Sequence, residues 1–266
     1  MANRIDLTFR RLKQARQKAL IGYVTAGFPT KASLSKLVPL LEKSGMDLLE
    51  LGVPFSDPIA DGPTIQRASQ IALTNGVTLD WVLRSVKDLR RKGVQFPLIL
   101  MSYCNPILAM GVKTFFQKAA SSGVDGLIIP DMIPEEAGPY ARAARQTGVH
   151  LIFLVSPTTP AGRIAMIANR TRGFLYAVSV TGVTGARKSL SHDVPAFLKS
   201  VKTNCHKPLA VGFGLSTPDQ VKSISRYADA VIVGSALIKA IERSKKSSFQ
   251  GAARFARSLK GALYAT

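Results

Sequence analysis

A chain of 266 residues, 46% of them apolar, has the length of one large α/β domain or two small ones and the composition of a soluble globular protein. No apolar run approaches the ~18 residues of a membrane helix, and the charged stretch from Met1 to Lys18 lacks the apolar core of a secretory signal, so a cytoplasmic protein without membrane contact is expected. Its 36 basic and 16 acidic side chains leave a net charge of +20, which favours anionic ligands; Cys104 and Cys205, with His150, His192 and His206, show no metal-ligand spacing and argue against a metal module.

The first element is a helix in the basic N-terminal stretch, whose Ile5, Leu7, Phe9 and Leu12 suit one apolar face. A short apolar run at 20–25 reads as a strand. Residues 33–43 carry apolar side chains at spacings of three and four and end at Gly45, as a helix does. The second strand, 48–51, runs into a loop of Gly, Pro, Ser and Asp, and an extra helical stretch covers 63–73. The alternation then repeats: helix 79–91, strand 98–101, helix 113–120, strand 126–129, helix 134–146, strand 151–155, helix 161–169, strand 174–178, helix 194–202, strand 209–211, helix 218–226 and strand 230–233. Gly93, Gly123 and Gly148 stop three of these helices. Gly234-Ser235 opens a short helix after the last strand, and 249–263 forms a final one.

Eight strand–helix pairs imply parallel strands joined by helical crossovers. Their number and the chain length predict a (β/α)8 barrel of the TIM class, with an N-terminal helix and extra short helices, forming a single domain over 1–266. The competitor is a doubly wound open sheet. It would carry a Gly-x-Gly-x-x-Gly turn after the first strand, where this chain has Thr25-Ala-Gly-Phe-Pro29.

In a barrel, function lies at the carboxyl ends of the strands. The second strand delivers Glu50 there, and its loop adds Asp57 and Asp61, three carboxylates within twelve positions of a chain poor in acids. A carboxylate buried at a strand end resists ionisation, so Glu50 has either a hydrogen-bonded structural role or a chemical one. Asp57 and Asp61, before Pro and Gly, are also natural turn formers. The seventh strand ends in Gly212-Phe-Gly214 and the eighth in Gly234-Ser235. Barrels often bind phosphate with these two loops and the N-terminus of a short helix, because glycine lets backbone N–H groups approach the anion. Gly185, in the loop after the sixth strand, is positioned to supply a third side.

The stretch Glu50-Leu-Gly-Val-Pro-Phe-Ser-Asp-Pro-Ile-Ala-Asp-Gly-Pro-Thr-Ile-Gln66 resembles the signature of the tryptophan synthase α subunit family. Further segments agree in order: Gly27-Phe-Pro29, Met101-Ser-Tyr-Cys-Asn-Pro106, Ile129-Pro-Asp-Met-Ile-Pro-Glu-Glu136, Tyr176-Ala-Val-Ser-Val-Thr-Gly-Val-Thr-Gly185, Val211-Gly-Phe-Gly214 and Val233-Gly-Ser235. The likeness extends over essentially the whole chain. It implies retro-aldol cleavage of indole-3-glycerol phosphate to indole and glyceraldehyde 3-phosphate, in tryptophan biosynthesis. By resemblance Glu50 is the general acid–base and Asp61 meets the indole N–H. Tyr176 positions substrate beside Glu50, and the ring sits among Tyr23, Met101, Ile128 and Phe213. The phosphate falls to Gly185, Gly214, Gly234 and Ser235. The resemblance also implies a β subunit as partner in an α2β2 assembly, met by the loop that holds Pro54 and Asp57. Neither metal nor cofactor is implied in this chain; pyridoxal phosphate belongs to the partner.

Two other readings compete with this one. A stand-alone lyase of the same fold needs no β subunit. The charge suggests the second: residues 1–136 hold 17 basic and 12 acidic side chains, whereas 137–266 hold 19 and 4. A degenerate barrel that binds nucleic acid would use such a field. Its basic residues, however, are scattered, not interleaved with aromatics, and match no nucleic-acid-binding signature, so no nucleic-acid partner is expected.

Overall fold

The computed structural model describes residues 2–178, 193–245 and 248–264. Its strands are β1 (Ala19–Thr25), β2 (Leu48–Gly52), β3 (Leu98–Met101), β4 (Gly126–Ile128), β5 (His150–Ile152), β6 (Leu154–Val155), β7 (Leu175–Val178), β8 (Leu209–Gly212) and β9 (Ala230–Val233). The helices are α1 (Arg4–Gln14), α2 (Ser33–Lys43), α3 (Pro63–Thr74), α4 (Leu79–Arg91), α5 (Cys104–Met110), α6 (Val112–Ser122), α7 (Gly138–Thr147), α8 (Ala161–Arg170), α9 (Asp193–Asn204), α10 (Pro218–Ser225), α11 (Ser235–Arg243) and α12 (Gln250–Tyr264). No helix among the described residues is long and apolar enough to cross a membrane.

All strand pairs are parallel, in the order β5-β4-β3-β2-β1-β9-β8-β7-β6. The two ends of that order, β5 and β6, are successive pieces of one segment, so the sheet curls round into the expected barrel. The sequence pattern predicts a single strand over 151–155, and the structure divides it at Phe153. The Phe153 amide leaves the ladder to donate to Thr171 Oγ1 at 3.0 Å, and its carbonyl accepts from Tyr176 at 3.1 Å. Pairing thereby passes from β4 on one side to β7 on the other.

Two helices also differ from the periodic pattern. A separate α5 precedes α6, and the break falls at Gly111, whose φ of 84° is a left-handed value that favours glycine. The expected helix over 134–146 begins only at Gly138, with a proline in its first turn.

Strands buried on both faces read as continuous apolar runs, and these strands do. One face packs outward on the helices through Leu49, Leu51, Leu98, Leu100 and Leu127. The other fills the barrel with Ile21, Leu48, Ile99, Ile128, Ile152 and Phe174. Helix α1 joins that interior cluster through Ile5, Phe9 and Leu12, with the Phe9 and Phe174 rings 5.7 Å apart. A Cβ on Gly126 would lie 2.9 Å from Ile5 Cδ1, so the glycine gives Ile5 its seat. Burying each such side chain stabilises the fold by roughly 1.5–3 kcal/mol. Helix α1 therefore plugs the amino-terminal mouth and leaves the carboxyl-terminal mouth as the place for a ligand.

At the plugged mouth a recurring device secures the strands. Asp47, Asp125 and Asp229 stand just before β2, β4 and β9, and each accepts an amide from the start of a neighbouring strand: Leu20 at 2.8 Å, Leu98 at 2.9 Å and Leu209 at 3.0 Å. Cations complete the arrangement. Lys260 lies 2.5 Å from Asp47, Arg90 2.5 Å and Arg4 2.9 Å from Asp125, and Lys18 3.8 Å from Asp229.

Candidate active site

Strand alternation decides which side chains line the open mouth. Ile21 and Tyr23 share a face of β1, Leu48 and Glu50 one of β2, and Ile99 and Met101 one of β3. The register places Tyr23 beside Glu50, Met101 beside Ile128, and Leu154 beside Tyr176. Six elements thus deliver one inward ring of residues.

Glu50 is the extreme member. It is 0% exposed, and neither carboxylate oxygen has a hydrogen-bond partner among the described residues. Burial alone pushes its pKa up to about 8, because the ionised form loses its hydration without gaining a partner. Among the described residues, the structural reading of Glu50 as a hydrogen-bonded carboxylate inside a barrel finds no partner to support it.

Asp61 reaches the mouth from the loop after β2. Burial raises its pKa to about 6, and a hydrogen bond from the Tyr103 hydroxyl, 3.1 Å away, partly offsets that rise. The same Tyr103 oxygen accepts from the Ala60 amide at 3.0 Å, and its ring stacks on Phe55 at 5.1 Å. Tyr103 thus clamps the loop at three points. Sequence reasoning left it out of the site; its place two residues beyond β3, facing an acidic loop, was the available signal.

Tyr23 and Tyr176 share the field of these carboxylates. Both phenols are pushed up, by burial first; Asp61 then weighs more on Tyr23 and Glu50 more on Tyr176. Each hydroxyl rests over a glycine of another strand. A Cβ on Gly52 would fall 1.9 Å from Tyr23 Oη, and one on Gly212 would fall 2.8 Å from Tyr176 Oη. Ile128 is buried in the interior cluster, with Met101 and Tyr176 packed against it. Phe213, just beyond β8, is half-buried and packs against the larger apolar cluster, which reaches the mouth through Tyr23.

The proposed phosphate groups divide. Gly214 is exposed at the end of β8 with φ of 66°, a left-handed value that favours glycine. Gly234 precedes α11, and Ser235 is its first residue; no side chain caps that helix and its first turn holds no acid. Its leading N–H groups and positive dipole end are those an anion needs. Gly185 and the 180–191 loop lie outside the described residues.

On the loop after β2, Asp57 is exposed and accepts from the Ser56 hydroxyl, whereas Pro54 is buried within the chain. The loop instead offers solvent Ile59, 82% exposed; Leu108 at 56% and Ile133 at 49% stand exposed after β3 and β4. Among the described residues no group of three or more His, Cys, Asp or Glu is placed to hold a metal.

A family model described as tryptophan synthase alpha chain matches residues 9–264. The tryptophan synthase alpha chain of Roseiflexus castenholzii is 49% identical over 260 residues, covering 97% of this chain and 100% of that one. The counterpart from Geobacter sulfurreducens is 47% identical over 241 residues, 91% of each. Among solved structures, tryptophan synthase subunit alpha from Legionella pneumophila superposes with a TM-score of 0.93 at 39% identity, covering all of both chains. A chain of Mycobacterium tuberculosis tryptophan synthase gives 0.91 at 36% identity, over 99% of each.

Proposed function

The chain belongs to the tryptophan synthase alpha chain family, and from that premise we propose that it cleaves indole-3-glycerol phosphate to indole and glyceraldehyde 3-phosphate. The observation that carries this reading is the pair of carboxyls in one mouth, Glu50 at about 8 and Asp61 at about 6. Near neutral pH the first holds its proton and the second has lost it, which separates an acid from an anion without any metal.

Glu50 delivers its proton to indole C3, and the ring nitrogen takes up positive charge. The Asp61 carboxylate, aimed at that N–H, stabilises the charge in a site that excludes water. Glu50, now ionised, removes the proton of the adjacent side-chain hydroxyl. That oxygen becomes the aldehyde carbonyl, the carbon–carbon bond breaks, and its electron pair returns to the ring to restore neutral indole. One carboxyl thus serves as acid and then base. Tyr176 and Tyr23 bracket the reacting carbon, Met101, Ile128 and Phe213 contact the ring, and Gly214, Gly234 and Ser235 receive the phosphate.

Indole release by the dialysed, chelator-treated chain tests this directly. Glu50→Gln and Asp61→Asn are each expected to lower kcat by about 10²–10⁴ while circular dichroism stays native. Wild-type turnover by Glu50→Gln defeats the mechanism.

The partner we propose is a β subunit that carries pyridoxal phosphate and consumes the indole, in an α2β2 assembly within the cytoplasm. Ile59, Leu108 and Ile133 support it: they stand exposed on the segments that follow β2, β3 and β4, beside exposed Asp57 on the first of these, and exposed apolar groups at a rim mark a protein contact. Coexpression should yield a complex that Ile59→Asp weakens. A wild-type chain that stays alone, with full solitary turnover, rejects the partner.

A further inference from the structure

Between α7 and α8, on the outer flank of the barrel, lies an open cavity of ≈ 610 Å³. Helix α7 contributes Arg142 and Arg145, the end of α8 and the turn after it contribute Arg170 and Arg172, and the segment before β8 contributes Lys207. Among the described residues lining it there is one carboxylate, Glu135, and Arg163 already holds it bidentately at 2.6 and 3.0 Å. Arg170 spends one N–H on the Pro134 carbonyl at 2.6 Å, and the Lys207 ammonium donates to the Thr171 carbonyl. The side chains of Arg142, Arg145 and Arg172 have no hydrogen bond or ion pair among the described residues.

Ordinary helix chemistry explains part of this. Arg145 and Arg170 stand in the last turns of α7 and α8, where the helix dipole favours a cation. It does not explain Arg142, Arg172 or Lys207. The Lys207 pKa is lowered, by burial first and also by repulsion from Arg172. Cations gathered around a concavity cost folding energy unless an anion answers them, and the concavity concentrates their field. The floor includes Ala137, Gly138, Ala141 and the buried Phe153, so no exposed aromatic face is there to stack on a base. The volume far exceeds one phosphate ion, and the charges come from three separate segments of the lining.

We infer that this groove is a second anion site, separate from the catalytic mouth, and that it takes a linear polyphosphate chain, free or as the tail of a nucleotide. The site reads phosphate oxygens through guanidinium forks and is indifferent to what the chain is attached to.

Calorimetric titration of the whole chain with inorganic tripolyphosphate at physiological salt tests it. Arg142→Ala/Arg172→Ala should weaken binding at least about tenfold. Arg84→Ala/Lys87→Ala, on α4, should leave it unchanged; Ser235→Asp, which places negative charge at the mouth, should remove only binding there and leave intact the component that Arg142→Ala/Arg172→Ala weakens. ATP should bind within about threefold of tripolyphosphate and adenosine should not bind. Native circular dichroism and melting temperatures no lower than wild type without ligand verify that the variants fold. Absence of binding, an equal loss in the α4 pair, loss of that same component on Ser235→Asp, or a preference for ATP beyond about tenfold each overturns the site. Ser235→Asp probes the mouth whatever substrate it takes, so the groove and the proposed lyase activity fail independently.

Discussion

At the mouth plugged by α1, Asp47 and Asp125 are buried yet each meets a backbone amide and at least two cations; at the open mouth Glu50 is buried as deeply and meets neither among the described residues. The same type of side chain, on the same sheet, is given opposite surroundings. A buried carboxylate with partners serves the fold, and removing it strands the charge it answered. A buried carboxylate without partners weakens the fold and is kept for what it does to a ligand. Distance along a strand separates these roles: Asp47 and Glu50 lie three residues apart.

The contrast can be broken most severely at the plugged end. Asp125→Ala leaves the largely covered Arg90 without its carboxylate and should cost about 3–5 kcal/mol in denaturant unfolding. Turnover per folded molecule should stay at the wild-type level; a loss of kcat would show that the two ends are not independent. Glu50→Gln should act in the opposite direction on stability. The native carboxyl titrates near 8, above its ordinary 4.5, so the folded state retains a proton that the unfolded state releases between those values. Wild-type stability therefore falls as pH rises across that window and levels above it. Glutamine does not titrate, so the variant should gain on wild type by an amount on the order of 3–4 kcal/mol from pH 4.5 to 8. A difference that is flat with pH would mean that Glu50 is solvated or paired in solution.

Activity should follow the same two groups. An ionised Asp61 and a protonated Glu50 predict a bell in kcat/KM, rising near 6 and falling near 8. The smallest effect sharpens the assignment. Tyr103→Phe removes the hydrogen bond that holds the Asp61 pKa down, so the acid limb should move up. The loss of turnover should be a few-fold and confined to that limb. A uniform drop across pH would make Tyr103 a packing residue only.

The barrel was legible because its strands and helices advertise themselves by period, and Glu50 because an acid at the end of an apolar run is conspicuous. What the sequence hid depends on contacts between distant segments. The break at Phe153 arises from Thr171, eighteen residues on, and no local pattern announces it. The carboxylate struts at the plugged mouth went unread because Asp before a strand looks like a turn former. Tyr103 resembled any aromatic after a strand until Asp61 was seen within reach of its hydroxyl. Pro54 shared its loop with exposed residues and is itself covered.

Gly52 and Gly212 hold a consequence for tolerance to change. Each lies where one methyl group would collide with a tyrosine hydroxyl on another strand. The working aperture is therefore gauged by two absent carbons. Alanine at either position, conservative by every measure of size and polarity, would displace a phenol into the space reserved for the ligand. Drift at these two positions would narrow the gate before it disturbed the walls.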